Sequence, residues 1–325
     1  MLYGLKKIYR PEIFQGHRKK EKYFEGWYFK LVDKDAQNIF AIIPGISVSN
    51  IKSDSHAFIQ VMDGKNATSR NFKFDFSEFS YSRDRFEIKI GNNYFSSEGI
   101  DLDIEQDSEI VRANLRFHDM MPWPRSIISP GAMGFYSFLP FLECYHGVVS
   151  MDHTIEGSAD FGGGTIDFSG GRGYIEKDWG ISFPQGWIWL QSNHFSKLPT
   201  SIMLSIAKIP LRKRSFTGFI CGILRGKDFY LFATYNGSRI TSLKYSDNDA
   251  YVELENRNNK VKIETKREKS ATLLSPILGA MEGRITESTD AEVNIKLERK
   301  NSKELVFEDT GYFGGLEIIK PEVLS

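Results

Sequence analysis

Apolar and polar residues alternate with a period of two along much of this chain, and this alternation restricts the fold more than any other feature. Clear examples are the segments 72–76, 86–90, 111–117, 261–263 and 293–297. Such alternation places apolar side chains on one face of a β-strand and polar side chains on the other. No long segment has the 3.6-residue period of an amphipathic helix. The sequence therefore predicts an all-β fold with antiparallel strands and few short helices.

Chain length and a faint internal repeat predict two β lobes. A chain of 325 residues fits two domains of ordinary size better than one small sandwich. Segment 26–29 (Gly-Trp-Tyr-Phe) has a counterpart in segment 186–189 (Gly-Trp-Ile-Trp), and alternating runs follow each of them. We therefore predict an N-terminal β lobe over residues 1–183 and a C-terminal β lobe over residues 184–325.

The charge balance and the aromatic content favour an uncharged, apolar ligand. Lys+Arg and Asp+Glu both number 42, so the formal net charge is zero. A general nucleic-acid binder needs a basic surplus to displace counterions from phosphates, so no nucleic-acid partner is expected. The 25 Phe, 14 Tyr and 5 Trp residues provide more aromatic surface than packing alone usually needs.

The cysteine content and the hydropathy of the chain favour a cytoplasmic location. Cys144 and Cys221 are the only cysteines, too few for the disulfide framework that secreted domains use. The N-terminal segment has no apolar core of signal-peptide length, and no stretch approaches the length of a membrane-spanning helix. We expect a soluble, cytoplasmic protein.

Residues 119–142 interrupt the alternation. This stretch is apolar and contains Pro122, Pro124, Pro130 and Pro140, and proline cannot donate to a sheet ladder. A loop of this length without its own ladder is often a lid or a binding loop, so we predict an apolar lid over residues 119–142. A second interruption, the Gly-rich stretch 162–173, lacks the residues of a phosphate-binding loop and is predicted to form a hairpin.

Candidate chemical groups concentrate in three polar runs within apolar surroundings, at 143–153, 173–180 and 191–195. On a strand, His146 would share a face with Cys144, Val148 and Ser150. The histidine and acid spacings match no standard zinc site, and no Gly-x-Ser-x-Gly turn of a serine hydrolase is present, so neither a metal nor a catalytic serine is expected. Each of these groups could also be a structural ion pair or a hydrogen-bonded core histidine.

Several of these runs resemble motifs of the tocopherol cyclase family. They are 23–30 (YFEGWYFK), 129–136 (SPGAMGFY), 143–150 (ECYHGVVS) and 171–180 (GRGYIEKDWG), with 187–195 as a continuation. The resemblance implies two lipocalin-like antiparallel β-barrel lobes, related to the lipocalin-like carotenoid hydratases. Because no plastid leader is evident, we expect a relative of bacterial type.

The resemblance also implies an enzyme of the intramolecular lyase or isomerase type that closes a chroman ring. In that reaction an acid protonates an alkene of a prenylated phenol or hydroquinone, and the phenol oxygen attacks the resulting cation. The site must keep a carboxylic acid protonated, exclude water and orient the phenol. No cofactor is expected.

The residues proposed for this chemistry fall into two groups. Candidate acids and bases, with Asp178 and Glu143 preferred as the proton donor, are Glu143, His146, Asp152, His153, Glu176, Asp178 and His194. Candidate substrate-binding residues are Trp123, Tyr136, Tyr145, Trp179, Trp187 and Asn193. Lys177 could pair with a neighbouring carboxylate and hold it ionised, which would prevent that group from acting as the donor.

Two other functions use the same residue types. A non-catalytic carrier of a prenyl lipid or another apolar ligand needs the aromatic residues and the lid but no neutral acid. An alkene hydratase needs the acid together with an ordered water. The expected partners are an apolar small molecule, by resemblance a prenylated phenol or quinol, and transiently a membrane surface.

Overall fold

The computed structural model describes residues 2–211 and 214–324, which form two compact units. Unit 1 consists of Met1–Phe183 together with Leu273–Arg284, and unit 2 consists of Pro184–Thr272 together with Ile285–Ser325. Strands dominate both units, and the described residues contain one α-helix, Leu2–Tyr9. The expectation of two lipocalin-like antiparallel β lobes with few short helices is confirmed.

The first sheet contains twelve strands, all paired antiparallel, in the order β4-β3-β2-β1-β12-β10-β9-β8-β7-β6-β5, with β11 beside β10. Its strands are β1 (Tyr23–Val32), β2 (Ile39–Val48), β3 (His56–Asp63), β4 (Thr68–Asp75), β5 (Phe79–Tyr81), β6 (Glu87–Ile90), β7 (Asn93–Ser96), β8 (Gly99–Gln106), β9 (Glu109–Met121), β10 (Cys144–Asp160), β11 (Thr165–Asp167) and β12 (Gly171–Gly180). Short 3-10 helices lie at Lys52–Asp54, Phe76–Glu78 and Gly134–Phe138.

The second sheet has the order β17-β16-β15-β13-β23-β22-β20-β19-β18, with β14 beside β23 and β21 beside β22. Its strands are β13 (Trp187–Ser192), β14 (His194–Phe195), β15 (Thr200–Leu211), β16 (Arg214–Arg225), β17 (Asp228–Ala233), β18 (Arg239–Tyr245), β19 (Asp249–Glu255), β20 (Asn259–Lys266), β21 (Ala271–Ile277), β22 (Ala280–Arg299) and β23 (Leu305–Ile319). Two 3-10 helices lie at Thr234–Asn236 and Pro321–Leu324. None of the helices within the described ranges is long and apolar enough to cross a membrane.

The two Gly-Trp segments of the internal repeat occupy equivalent places in the two sheets. β1 lies between β2 and the last strand of its sheet in chain order, β12. β13 lies in the same way between β15 and the last strand of the chain, β23. The repeat therefore corresponds to a repeated strand arrangement.

The hairpin tip Leu273–Arg284 comprises most of β21, the turn and the first residues of β22, and it belongs to unit 1 although the flanking residues belong to unit 2. Gln60 exchanges two hydrogen bonds with the backbone of Leu274, at 2.8 and 3.2 Å. Ser47 Oγ donates to the carbonyl oxygen of Gly279 at 2.7 Å, and Gly279 N donates to that of Ile181 at 2.7 Å. These bonds satisfy polar groups of unit 1 that would otherwise be buried without partners.

The predicted lid begins later than the sequence suggested. β9 continues to Met121, which pairs with Asp152 of β10, so residues 119–121 are strand and the irregular loop spans 122–143. Asp119 has a positive φ of 55°, and the pairing shifts register between Asp152 and Thr154. Such a bulge interrupts the alternation of apolar and polar residues, although the hydrogen bonds between β9 and β10 continue. The start predicted for the loop, residue 119, was therefore too early. The Gly-rich stretch forms the predicted hairpin, with β11 paired to β10.

Candidate active site

An imidazole lies between two carboxylates on neighbouring strands of unit 1. His146 of β10 is directly opposite Asp178 of β12, and Val148 is opposite Glu176. His146 Nδ1 is 3.0 Å from Asp178 Oδ1, and His146 Nε2 is 3.7 Å from Glu176 Oε2. Strand alternation places Glu176 and Asp178 on one face of β12, opposite the face that carries Ile175 of the hydrophobic core. The register of two strands therefore builds this cluster.

Tyr174, two residues before Glu176, completes the cluster. Its hydroxyl donates a hydrogen bond of 2.5 Å to Glu176 Oε2. Burial and the neighbouring Glu176 carboxylate raise the pKa of Tyr174 well above its ordinary value, so the hydroxyl remains a donor. The polar signal that could have indicated its role is the two-residue spacing to Glu176, which puts both on one face of a strand.

Burial differs among the three titratable groups. The side chain of Glu176 is 6% exposed, that of His146 is 14% exposed, and that of Asp178 is 27% exposed. Glu176 and His146 are therefore poorly solvated, and they lie close enough for a proton to pass between a carboxylate and an imidazole.

The same three residues could also coordinate a cation. Each offers one ligand atom, and within the described residues these atoms lie within 4.8 Å of one another. One imidazole nitrogen and two carboxylate oxygens suit a divalent metal ion. The expectation that no metal is used stays a prediction.

Lys177 points to the opposite face of β12 from Glu176 and Asp178. Its Nζ lies 2.5 Å from Glu25 Oε1 and donates to the carbonyl oxygens of Pro11 at 2.8 Å and Ile13 at 2.6 Å. Burial lowers its pKa to about 8, although the Glu25 carboxylate opposes this shift. The ammonium also lies over the rings of Trp27 and Trp179, at 4.6 and 4.9 Å from their centroids. Lys177 therefore has its own carboxylate partner in Glu25.

Glu25 and Tyr23 were not identified from the sequence as members of a polar network. Glu25 accepts hydrogen bonds from the Tyr23 hydroxyl at 2.5 Å and from the amides of Gln15 and Gly16. Burial and the Glu25 carboxylate raise the pKa of Tyr23 well above its ordinary value. The sequence signal for this network is Glu25 itself, an acid within the apolar residues of β1, because a buried charge requires a partner.

Three other candidate acids and bases of unit 1 lie outside the cluster. Glu143 is exposed and precedes β10. Asp152 forms an ion pair with Arg172, whose Nε lies 3.0 Å from Asp152 Oδ1. His153 lies against the core ring of Phe117 at 4.5 Å, and burial lowers its pKa to about 3.

Three candidates belong to unit 2. Trp187 Nε1 donates to Glu317 Oε2. His194 Nδ1 is 3.1 Å from Asn193 Oδ1, and the His194 ring lies edge-on to Phe313 at 5.6 Å. That these three residues belong to a functional site stays a prediction.

Residues 122–143, called the 122–143 loop below, contact the cluster and its neighbours. His146 N donates to Met133 Sδ at 3.1 Å, and the Tyr145 hydroxyl donates to the carbonyl oxygen of Leu139. Tyr145 also stacks on Trp179 with ring centroids 5.5 Å apart and planes 9° apart. In the loop itself Trp123 is buried, whereas Tyr136 is half-buried.

The family model described as tocopherol cyclase-like matches residues 95–319 of this chain. That range includes the strands that carry His146, Glu176 and Asp178 and extends to the end of β23. This chain belongs to the tocopherol cyclase-like family. The resemblance inferred from the sequence motifs is therefore confirmed.

Two curated plant proteins match a shorter segment of this family member. A probable chloroplastic tocopherol cyclase of Oryza sativa subsp. japonica is 28% identical over 109 residues, which are 32% of this chain and 23% of that protein. The chloroplastic tocopherol cyclase of Zea mays is 27% identical over 109 residues, with the same shares. The matched segment thus spans less than a quarter of the length of these relatives.

Solved structures of distant sequence share the fold. CghA bound to Sch210972 has a TM-score of 0.59 at 10% identity and covers 91% of this chain and 88% of its own. An AttH-type protein (NE1406) of Nitrosomonas europaea has a TM-score of 0.52 at 13% identity, with 90% and 92% covered. Kievitone hydratase of Nectria haematococca has a TM-score of 0.50 at 10% identity, with 95% and 93% covered.

Proposed function

We propose that this protein is a cofactor-independent cyclase that closes a chroman ring on a prenylated phenol or hydroquinone. The observation that carries the proposal is the position of His146 between Asp178 and the buried Glu176, whose carboxylate also accepts the Tyr174 hydroxyl. Membership of the tocopherol cyclase-like family supports this reaction class. Alkene protonation needs a poorly solvated acid, and the 6% exposure of the Glu176 side chain supports this role.

Protonated Glu176 transfers its proton to the substrate alkene and creates a tertiary cation. The Tyr174 hydroxyl then stabilises the carboxylate that remains. The phenol oxygen attacks the cation and closes the ring, and His146, oriented by Asp178, accepts the phenol proton. Return of that proton from His146 to Glu176 restores the cluster, so the reaction is an isomerisation that consumes no proton overall. Glu143 has no part in these steps, because it is exposed and precedes β10, outside the cluster.

The test is turnover of a prenylated hydroquinone by purified protein in heavy water. We expect a chroman product that carries one new deuterium on carbon. Glu176→Gln should reduce kcat at least about 100-fold, because a positioned acid contributes about 100- to 10,000-fold. Asp178→Asn should cause a smaller loss, since it removes the group that orients His146. Glu143→Gln is the matched control and should retain activity.

Other results would contradict the proposal in distinct ways. Full activity of both Glu176→Gln and Asp178→Asn would exclude this cluster as the acid. An alcohol product would indicate hydration, and unchanged ligand that remains bound would indicate a carrier. Loss of activity with a chelator and recovery with a divalent cation would indicate a metal at His146, Glu176 and Asp178.

A further inference from the structure

Several loops leave unit 1 at the same end of its sheet. Tyr23 at the start of β1 pairs with Val48 at the end of β2, and Phe24 pairs with Gly180 at the end of β12. Gly180 also pairs with Cys144 at the start of β10. The loops 17–22, 49–55, 122–143 and 181–183 therefore lie at one end, which we call the loop end.

The turn at residues 277–279 also lies at the loop end. Gly279 packs directly on the backbone of Lys22 and Tyr23, so closely that a Cβ at this position would lie 2.4 Å from Tyr23 N. Leu278 N donates to Ser182 Oγ at 2.8 Å. This turn belongs to unit 1 and extends the loop end by two apolar residues.

Exposed large apolar side chains concentrate at the loop end. Of the fifteen in the described residues, eight lie there: Ile51, Ile127, Ile128, Phe135, Phe138, Phe141, Ile277 and Leu278. Ile127 and Ile128 are 83% and 78% exposed. Single exposed apolar residues are ordinary on soluble proteins, but a concentration of this kind marks an interaction surface.

The charges near these side chains are mainly basic. The first 22 residues carry seven Lys or Arg and two acids, whereas the whole chain is neutral. Arg18, Lys19, Lys20 and Lys22 are exposed in the loop that leads into β1. Arg125 is the only charged residue between Pro122 and Leu142.

The basic N-terminal segment is fastened to the apolar loop. The Tyr9 hydroxyl donates to the carbonyl oxygen of Ile127 at 2.7 Å, and Arg125 Nη1 donates to that of Tyr9 at 2.9 Å. Tyr9 and Phe138 are also in edge-on ring contact, with centroids 6.0 Å apart. The structure therefore keeps basic and apolar groups together on one surface.

We infer that the loop end of unit 1 is a docking surface for a lipid bilayer that contains anionic lipids. Ile127, Ile128 and the neighbouring aromatic side chains enter the interfacial region, and Arg18, Lys19 and Lys20 pair with anionic headgroups. Apolar insertion combined with a basic border fits a bilayer better than a protein partner, which would need a specific complementary surface. The 122–143 loop also contacts His146 through Met133, so docking brings a lipid surface next to the candidate active site. The inference stands whether or not the proposed reaction is correct.

Sedimentation with vesicles tests the inference on the full chain. We expect binding to vesicles of phosphatidylcholine with about one third phosphatidylglycerol, and weaker binding to phosphatidylcholine alone. Ile127→Ser/Ile128→Ser should weaken binding to both by about tenfold or more, because it removes inserted apolar surface. Lys19→Gln/Lys20→Gln should weaken binding only to the anionic vesicles, by about tenfold or more, and salt should have the same effect.

Matched controls lie away from the loop end. Ile110→Ser removes an exposed apolar side chain at the start of β9, and Lys65→Gln removes an exposed charge between β3 and β4. Both should bind like the unchanged protein. Failure of the unchanged protein to bind anionic vesicles, or equal losses in the controls, would overturn the inference. If the parent is a dimer that does not bind vesicles, and Ile127→Ser/Ile128→Ser is a monomer, the surface instead binds a second copy of the chain.

Discussion

Adjacent residues of β12 have opposite surroundings, and this separation creates two distinct polar networks. Glu176 and Asp178 meet His146 on one face, while Lys177 meets Glu25 on the other. The alternation along β12 therefore directs Lys177 towards Glu25 and away from the proposed proton donor.

His153 should make stability dependent on pH in the mildly acidic range. Its pKa is about 3 in the folded chain, because it is buried and close to Arg172, against an ordinary value of 6.5. Between these values the unfolded chain binds one more proton, so the free energy of unfolding falls as pH falls from about 6.5 towards 3. Between pH 7 and pH 5 we expect the parent to lose about 2 kcal/mol more than His153→Leu.

Urea denaturation at the two pH values measures this difference. His153→Leu also changes packing against Phe117, but that effect is present at both pH values and cancels in the comparison. An equal pH dependence in both proteins would show that His153 takes up a proton in the folded state.

At the residue scale, sequence reasoning found His146, Glu176 and Asp178 but could not separate them from Glu143 or Asp152. All five are polar groups near aromatic residues, and their difference lies in burial and pairing. Asp152 has Arg172 twenty residues away as its partner, and only the hairpin between β10 and β12 brings them together. Tertiary contacts of this kind leave no trace in local spacing.

The N-terminal segment 10–16 is an element without regular structure that depends on two buried side chains. Lys177 binds the carbonyl oxygens of Pro11 and Ile13, and Glu25 binds the amides of Gln15 and Gly16. Lys177 and Glu25 thus provide the hydrogen-bond partners that a neighbouring strand would give to a regular β-strand.

Lys177→Met should release this segment and destabilise unit 1. It leaves the buried Glu25 carboxylate without its cation, which costs about 3 kcal/mol or more. A glutamate-specific protease should then cleave after Glu12 within the released segment, whereas in the parent Glu12 is buried and cleavage should occur first after the exposed Glu21. Mass spectrometry of a short digest distinguishes the two patterns.

Lys65→Met is the control for Lys177→Met, because Lys65 is exposed between β3 and β4. It should leave stability and the cleavage pattern unchanged. Continued protection at Glu12 in Lys177→Met would mean that other contacts suffice to hold the segment.

At the element scale, alternation predicted strands such as β9, whose outward residues are polar and inward residues buried. It could not predict β1 and β2, which are buried on nearly all positions and have no period of two. Of the two, only β1 was recognisable, through the Gly-Trp repeat and the family motif. The end of β9 was missed for a different reason. After the bulge at Asp119 the apolar–polar alternation stops, but the strand remains paired with β10 as far as Met121.

At the scale of the whole molecule, the chain returns to unit 1 after most of unit 2 has been built. The sequence of Leu273–Arg284 departs from alternation at Pro276 and Gly279, but it does not indicate which unit this hairpin joins. Its assignment depends on the hydrogen bonds to Gln60, Ser47 and Ile181. Long-range contacts of this type cannot be inferred from periodicity.

Hydrogen exchange in increasing urea should reveal this membership. We expect amides of 273–284 to lose protection together with β2 and β3, because they share the stability of the unit they pack with. Amides of 261–266 and 293–297 should follow unit 2. Gln60→Leu should selectively lower the protection of the amides of 273–284. If in the parent these amides instead exchange together with those of β20, the assignment of the hairpin to unit 1 is wrong.

The returning hairpin also imposes an order on biosynthesis. When Phe183 leaves the ribosome, 89 residues (184–272) must still emerge before the missing part of unit 1 can appear. At roughly 5–20 residues per second that interval is on the order of 10 seconds. Throughout it, Gln60 and Ser47 have no native partners for their side chains. The nascent N-terminal lobe is therefore an incomplete intermediate, and chaperones have several seconds in which to engage it.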